Sequence, residues 1–101
     1  MKPLDQLQSS DFSPYLNQTF SVQLQGSEPI HLELVSVTET GEKSRPEARQ
    51  PFSLHFLGPV SSQYLLQHIY PLEHQQMGPF DLFLVPLGPE NGRMRYEAIL
   101  A

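Results

Sequence analysis

Phe80-Asp81-Leu82-Phe83-Leu84-Val85-Pro86-Leu87-Gly88-Pro89-Glu90-Asn91-Gly92-Arg93-Met94-Arg95-Tyr96-Glu97-Ala98-Ile99-Leu100 is the stretch on which the fold class turns. Phe80 to Leu87 is the most apolar run of the chain, and Asp81 is its main polar interruption. Such a run reads as a strand buried on both faces, either central in a sheet or covered by other elements. Gly88 to Gly92 reads as a hairpin loop, because Asn91-Gly92 accepts positive φ at little cost. Met94, Tyr96, Ala98 and Leu100 then share one face of a closing strand. Strand, tight turn, strand at the C-terminal end points to an antiparallel sheet.

Working back from there, Ile69 to His74 reads as a strand with Pro71 inside it. Proline cannot donate to a ladder, so this strand is expected at an edge or distorted. Gly78-Pro79 turns the chain. Residues 60–68 fit no single period, and Tyr64-Leu65-Leu66 reads as a helical turn or irregular cover. Phe52-Ser53-Leu54-His55-Phe56 alternates and is expected to end at a Gly58-Pro59 turn. Glu39 to Gln50 has charges but no apolar period, so it reads as a solvated loop dispensable for folding.

Thr19 to Leu24 alternates strictly, with Phe20, Val22 and Leu24 on one face. Gly26-Ser27-Glu28-Pro29 is a turn, and Ile30 to Val37 completes a hairpin. In that second strand Ile30, Leu32 and Leu34 point inward, and the phase then slips so that Val35 and Val37 take over. A slip of this kind predicts a bulge or strong bend. Residues 1–10 are polar and read as a flexible N-terminus. Ser10-Asp11-Phe12-Ser13-Pro14 caps a short helical turn. The expected fold class is all-β: a small antiparallel barrel or sandwich of about six strands, with a short N-terminal helical turn, in one domain over residues 11–101. Its expected core is Phe20, Leu32, Leu34, Phe52, Leu54, Phe56, Leu82, Leu84 and Tyr96.

A chain of 101 residues suits one domain. Charged residues make up 17%, too few for a disordered chain. Six basic against eleven acidic residues leave a net charge of -5, and the cations are scattered. Phosphate backbones draw their affinity from clustered Lys and Arg, so neither nucleic acid nor an anionic membrane is an expected partner. No cysteine is present, which excludes disulfides, thiolate nucleophiles and cysteine-bound zinc. The N-terminal residues lack the apolar core of a secretion signal, and no run is long enough to span a bilayer as a helix. A cytoplasmic location is expected.

Pro51-Phe52-Ser53-Leu54-His55-Phe56-Leu57-Gly58-Pro59, Tyr70-Pro71-Leu72-Glu73-His74, Gly78, Leu82 to Pro89 and Tyr96-Glu97-Ala98 together resemble an uncharacterised bacterial domain family of unknown function. Phe12 and Asn17-Gln18-Thr19-Phe20 resemble its N-terminal segment, so the resemblance spans residues 12–100. Asn17 stands where the pattern often has glycine, and Leu100 where it commonly has an aromatic residue. The resemblance implies a shared fold and a bacterial source. It brings no catalytic residue, cofactor or partner.

The candidate chemistry is thin. His31 and Glu33 share a strand face, and His55 and His74 could join them across strands. A metal needs three or four converging ligands, and the sequence offers pairs. Glu73 and Asp81 could form a carboxylate pair on facing strands. Asp81, inside the apolar run, would need Arg93, Arg95 or a backbone N–H if buried. No nucleophile elbow surrounds Ser53, Ser61 or Ser62. The glycines before Pro59, Pro79 and Pro89 are turn residues, since proline removes a donor that a phosphate loop would use.

These readings converge on a non-catalytic protein-interaction or assembly module, with no cofactor, no metal and no enzymatic activity. The expected partner is a protein, either a second copy or another chain. The candidate contact surface is Tyr64, Tyr70, Leu72, His74, Phe83 and Val85. The alternative is a small-ligand-binding β-barrel.

Overall fold

The computed structural model describes residues 4–101. Six antiparallel strands close into a barrel in the order β1-β2-β3-β6-β5-β4. They are β1 (Thr19–Val22), β2 (Ile30–Glu39), β3 (Phe52–Val60), β4 (His68–His74), β5 (Gly78–Glu90) and β6 (Arg93–Leu100). A short helix, α1 (Ser9–Phe12), precedes them, between single 3-10 turns at Leu4–Gln6 and Ser13–Tyr15. The all-β class and the N-terminal helical turn are as the sequence implies, and of the barrel and the sandwich it allows, the barrel is the one formed.

Alternation builds the interior. All nine expected core residues are buried. Phe20 and Leu32 pair across β1 and β2, and Leu54 with Ala98 and Phe56 with Tyr96 across β3 and β6. The phase slip in β2 is a bulge: the β2–β3 register shifts between Leu34 and Ser36, so Val37 still packs against the core. That extra residue bends the strand around the barrel.

Several elements differ from the sequence-based expectation. Gly58-Pro59 does not end β3, which runs to Val60 through a register shift between Leu57 and Val60. A Cβ on Gly58 would lie 3.3 Å from a ring carbon of Tyr96, so the glycine lets that ring close onto the strand. The loop expected over residues 88–92 shrinks to Asn91-Gly92, both at positive φ, joining Glu90 to Arg93 as a primed two-residue turn. Finally, Phe80 to Val85 is buried on one face only. Phe80, Leu82 and Leu84 point in, whereas Asp81 and Phe83 are exposed. The barrel has one interior and no second layer to cover the outside of β5.

Pro71 does not lie on an open edge, because β4 pairs with both β5 and β1. Its place is still edge-like. The β1–β4 seam has only two registered pairs, Ser21↔Glu73 and Val22↔Leu72, and its next bond is Gln23 N–H donating to the Pro71 carbonyl at 2.8 Å. The N and O of one strand residue project to the same side, so the missing donor faces the seam where pairing stops.

The two mouths are sealed by segments without periodicity. At the lower mouth α1 inserts Phe12, whose ring lies 5.8–6.5 Å from those of Phe20, Phe52 and Phe80. Leu7, 2% exposed, joins it, so residues 4–10 are docked where the sequence suggested a flexible arm. Met1 to Pro3 of that arm lie outside the described residues. The helix also starts earlier than the Ser10–Asp11 reading: Gln8 caps it, and its N–H donates to Asp11 Oδ2 at 2.8 Å. At the upper mouth Leu65 is buried, and its N–H donates to the Tyr96 hydroxyl at 2.8 Å.

The charged loop between β2 and β3 is not all dispensable. Arg49 donates through Nη1 to the carbonyls of Leu4 and Leu7, both at 2.8 Å, and through Nη2 to that of Ala101 at 2.6 Å. Its guanidinium carbon also sits 5.6 Å from the Phe52 ring centroid. Gln50 donates to the carbonyls of Thr40 and Gly41. Residues 42–47 make no comparable link, and Arg45–Glu47 is an exposed ion pair of small worth.

Two stability measurements check this account. Phe56→Ala should lower unfolding stability in denaturant by about 3–5 kcal/mol, because the side chain is fully buried; a loss below about 1 kcal/mol would contradict the inward assignment. Replacing residues 42–47 by a short Gly-Ser link should change stability by less than about 1 kcal/mol. Arg49→Ala should lower it by about 2–3 kcal/mol. Equal effects from loop and arginine would refute the clamp.

Candidate functional site

The barrel interior is filled by side chains, so chemistry and recognition fall to its outside and rims. The four histidines do not converge. His31 Nδ1 lies 3.0 Å from the Ser21 hydroxyl. His55 Nδ1 lies 3.0 Å from Arg95 Nε and its Nε2 lies 3.0 Å from Glu97 Oε2. Arginine can only donate, so Nδ1 accepts and the proton sits on Nε2, facing the carboxylate. Among the described residues no group of three or more His, Cys, Asp or Glu is placed to hold a metal ion. Arg93 and Arg95, considered as partners for Asp81, bind elsewhere: Arg93 contacts Glu33 at 3.2 Å, and Arg95 contacts Glu90 at 3.0 Å.

The candidate contact residues divide between the inside and the outside of the barrel. Leu72 is fully buried and His74 is 3% exposed, so neither belongs to a surface. The reason is register. Leu72 and His74 point inward along β4, while Ile69, Pro71 and Glu73 point outward. Tyr70 is half-buried, and its hydroxyl donates to the Leu66 carbonyl at 2.6 Å. Phe83 and Val85 face outward, and Tyr64 projects from the upper rim.

That outer face holds residues the sequence reading passed over. Phe83 is 47% exposed and sits directly opposite Ile69, which is 58% exposed. Val85 pairs with Glu97 on β6, and the same register carried two residues on brings the exposed Ile99 beside Phe83. Strict alternation in β4, starting from buried Leu72, would have found Ile69.

The upper rim carries two contiguous clefts, of about 450 and 300 Å³, which share Ser61, Tyr64 and Met94. Pro86, Leu87 and Pro89 form one wall, and Gly58, Pro59 and Leu65 the other. The Tyr96 hydroxyl beneath is held on the Leu65 N–H, and burial pushes its ionisation up.

His74 is a structural pin. Its ring centroid lies 4.5 Å from those of both Tyr15 and Phe20. Nδ1 accepts from the N–H groups of Gln76 and Met77, and Nε2–H donates to Gln18 Oε1 at 2.8 Å. Only the neutral ring can make these bonds, and burial lowers its pKa. No helix among the described residues is long and apolar enough to cross a membrane.

The pH dependence of stability follows from His74. The unfolded chain binds a proton near 6.5 and the folded chain only at lower pH. Between those values the unfolded state holds more protons, so stability falls as pH drops below about 6.5 and levels off below the folded value. His74→Asn keeps an acceptor near Nδ1 and cannot titrate. Its denaturation midpoint should be flatter than wild type between pH 7 and 5, and parallel profiles would show that His74 is not the titrating pin.

No curated protein and no solved structure matches this chain. The model of one family, described as a domain of unknown function (DUF6916), matches residues 7–100. That span takes in the N-terminal plug, all six strands and the exposed β4–β5 face, and the chain belongs to this family.

Proposed function

We propose that this domain is a non-catalytic protein-contact module whose contact face is the outside of the β4–β5 hairpin, centred on Phe83. One observation carries the reading: Phe83 and Ile69 stand opposite each other, half exposed, on a barrel whose interior is already filled. The two side chains interact across the strands and, with Ile99, form a contiguous exposed apolar patch of the kind that marks protein contact sites. Ile99 extends it across to β6. A polar frame, His55, Glu97, Arg95 and Glu90, borders the face, linked by the Arg95–Glu90 ion pair and by hydrogen bonds of His55 to Arg95 and Glu97, each at 3.0 Å. Apolar centre and polar rim are the usual anatomy of a protein interface.

A second reading rests on the upper-rim clefts, whose proline, tyrosine and methionine walls suit a small apolar ligand. The two readings separate by variant. Quantitative affinity capture from the source cell should lose its partner with Phe83→Asp and keep it with Tyr64→Ala. Capture unchanged by Phe83→Asp would refute the contact face. Loss with Tyr64→Ala alone would transfer the function to the rim.

A further inference from the structure

We propose that the partner's docking surface is basic as well as apolar: an aliphatic or aromatic side chain flanked by Lys or Arg. The inference rests on the Phe83-centred contact face and deepens it. Below the Ile69–Phe83 pair on the outside of β4–β5, the next opposed pair is Pro71–Asp81, and the next is Glu73–Pro79. Asp81 and Glu73 are therefore diagonal neighbours, about 7–8 Å apart. Asp81 lies two residues, about 7 Å, along β5 from Phe83. Both carboxylates are exposed.

What distinguishes them is the company kept by the other strand carboxylates. Glu33 is paired with Arg93, Glu90 with Arg95 and Glu97 with His55, while Glu39 accepts from the Ser9 hydroxyl. Among the described residues the side-chain carboxylates of Asp81 and Glu73 have no hydrogen-bond or ion-pair partner. The barrel spends its strand cations elsewhere and leaves two negative charges beside its apolar face. A cation placed between them on an opposing surface would interact with both.

A second copy of this chain does not supply that surface. Arg93 and Arg95 are engaged on the strands and Arg49 is committed to the lower-mouth clamp, while Lys43 and Arg45 lie on the exposed segment 41–47, which has no large apolar side chain of its own to present beside them. At a net charge of -5, two copies also repel. Charge complementarity thus favours a different, basic chain.

The test is selection of a random phage-displayed peptide library on the full chain, followed by NMR mapping of the enriched peptides. Enriched peptides should combine an aliphatic or aromatic residue with Lys or Arg, and should shift the amides of Ile69, Asp81 and Phe83. Binding should weaken with added salt. It should drop by about tenfold or more in an Asp81→Lys, Glu73→Lys double variant. Peptides with Lys and Arg changed to Glu should bind that variant and not the wild type. Acidic or purely apolar peptides, an empty selection, or a double variant that binds like wild type would overturn the basic-partner inference. A double variant that binds normally alongside a Phe83→Asp variant that does not would overturn this inference and leave the contact face standing. Peptides mapping to the Tyr64 rim would overturn both.

Discussion

A sheet closed on itself has one interior, and each strand can give that interior only one of its two faces. Every other feature of this barrel follows from that limit. Phe20, Leu32, Phe56, Leu82 and Tyr96 occupy the inside because alternation lets one residue in two reach it. The apolar residues of the opposite phase in β4, β5 and β6, namely Ile69, Phe83 and Ile99, have no layer to go under. The exposed face is therefore the geometric remainder of a strand sequence richer in apolar residues than one interior can absorb.

Closure also leaves two open ends. Each is stopped by a segment held by polar side chains, one above and two below. A docked irregular segment carries backbone donors and acceptors that no ladder satisfies. The Tyr96 hydroxyl meets the Leu65 N–H above; His74 and Arg49 meet backbone groups below. These side chains convert loose cover into fixed plugs, and each is attached to a strand or to the entry of one.

The strands were legible in the sequence because their period is short and their punctuation explicit. Phe20, Val22 and Leu24 alternate, Asn91-Gly92 marks the turn, and the slip at Leu34-Val35 marks the bulge. The plugs were not, since Leu7 and Leu65 are single apolar residues in polar surroundings and carry no period. Arg49 looked like one more charge in a solvated loop; only its distant partners at Leu4, Leu7 and Ala101 make it structural. On the exposed β4–β5 face, Phe83 and Val85 stand out in the sequence as candidates, but the unbroken apolar run that holds them reads as buried on both faces and hides which phase is outer. Tyr70, Leu72 and His74 lie on the inner side of β4 and not on that face; its apolar residues occupy both phases and Pro71 hides the register.

The arginine clamp has a mechanical side. One guanidinium holds carbonyls from Leu4, Leu7 and Ala101, so the chain enters and leaves the barrel at the same mouth. Tension applied between those two points loads the Arg49 bonds before it reaches any strand ladder. Spliced into a longer polypeptide, the barrel would hang as a pendant from a narrow stalk. Its Tyr64 rim would lie farthest from the attachment, and its Phe83 flank would turn sideways to the line of the chain.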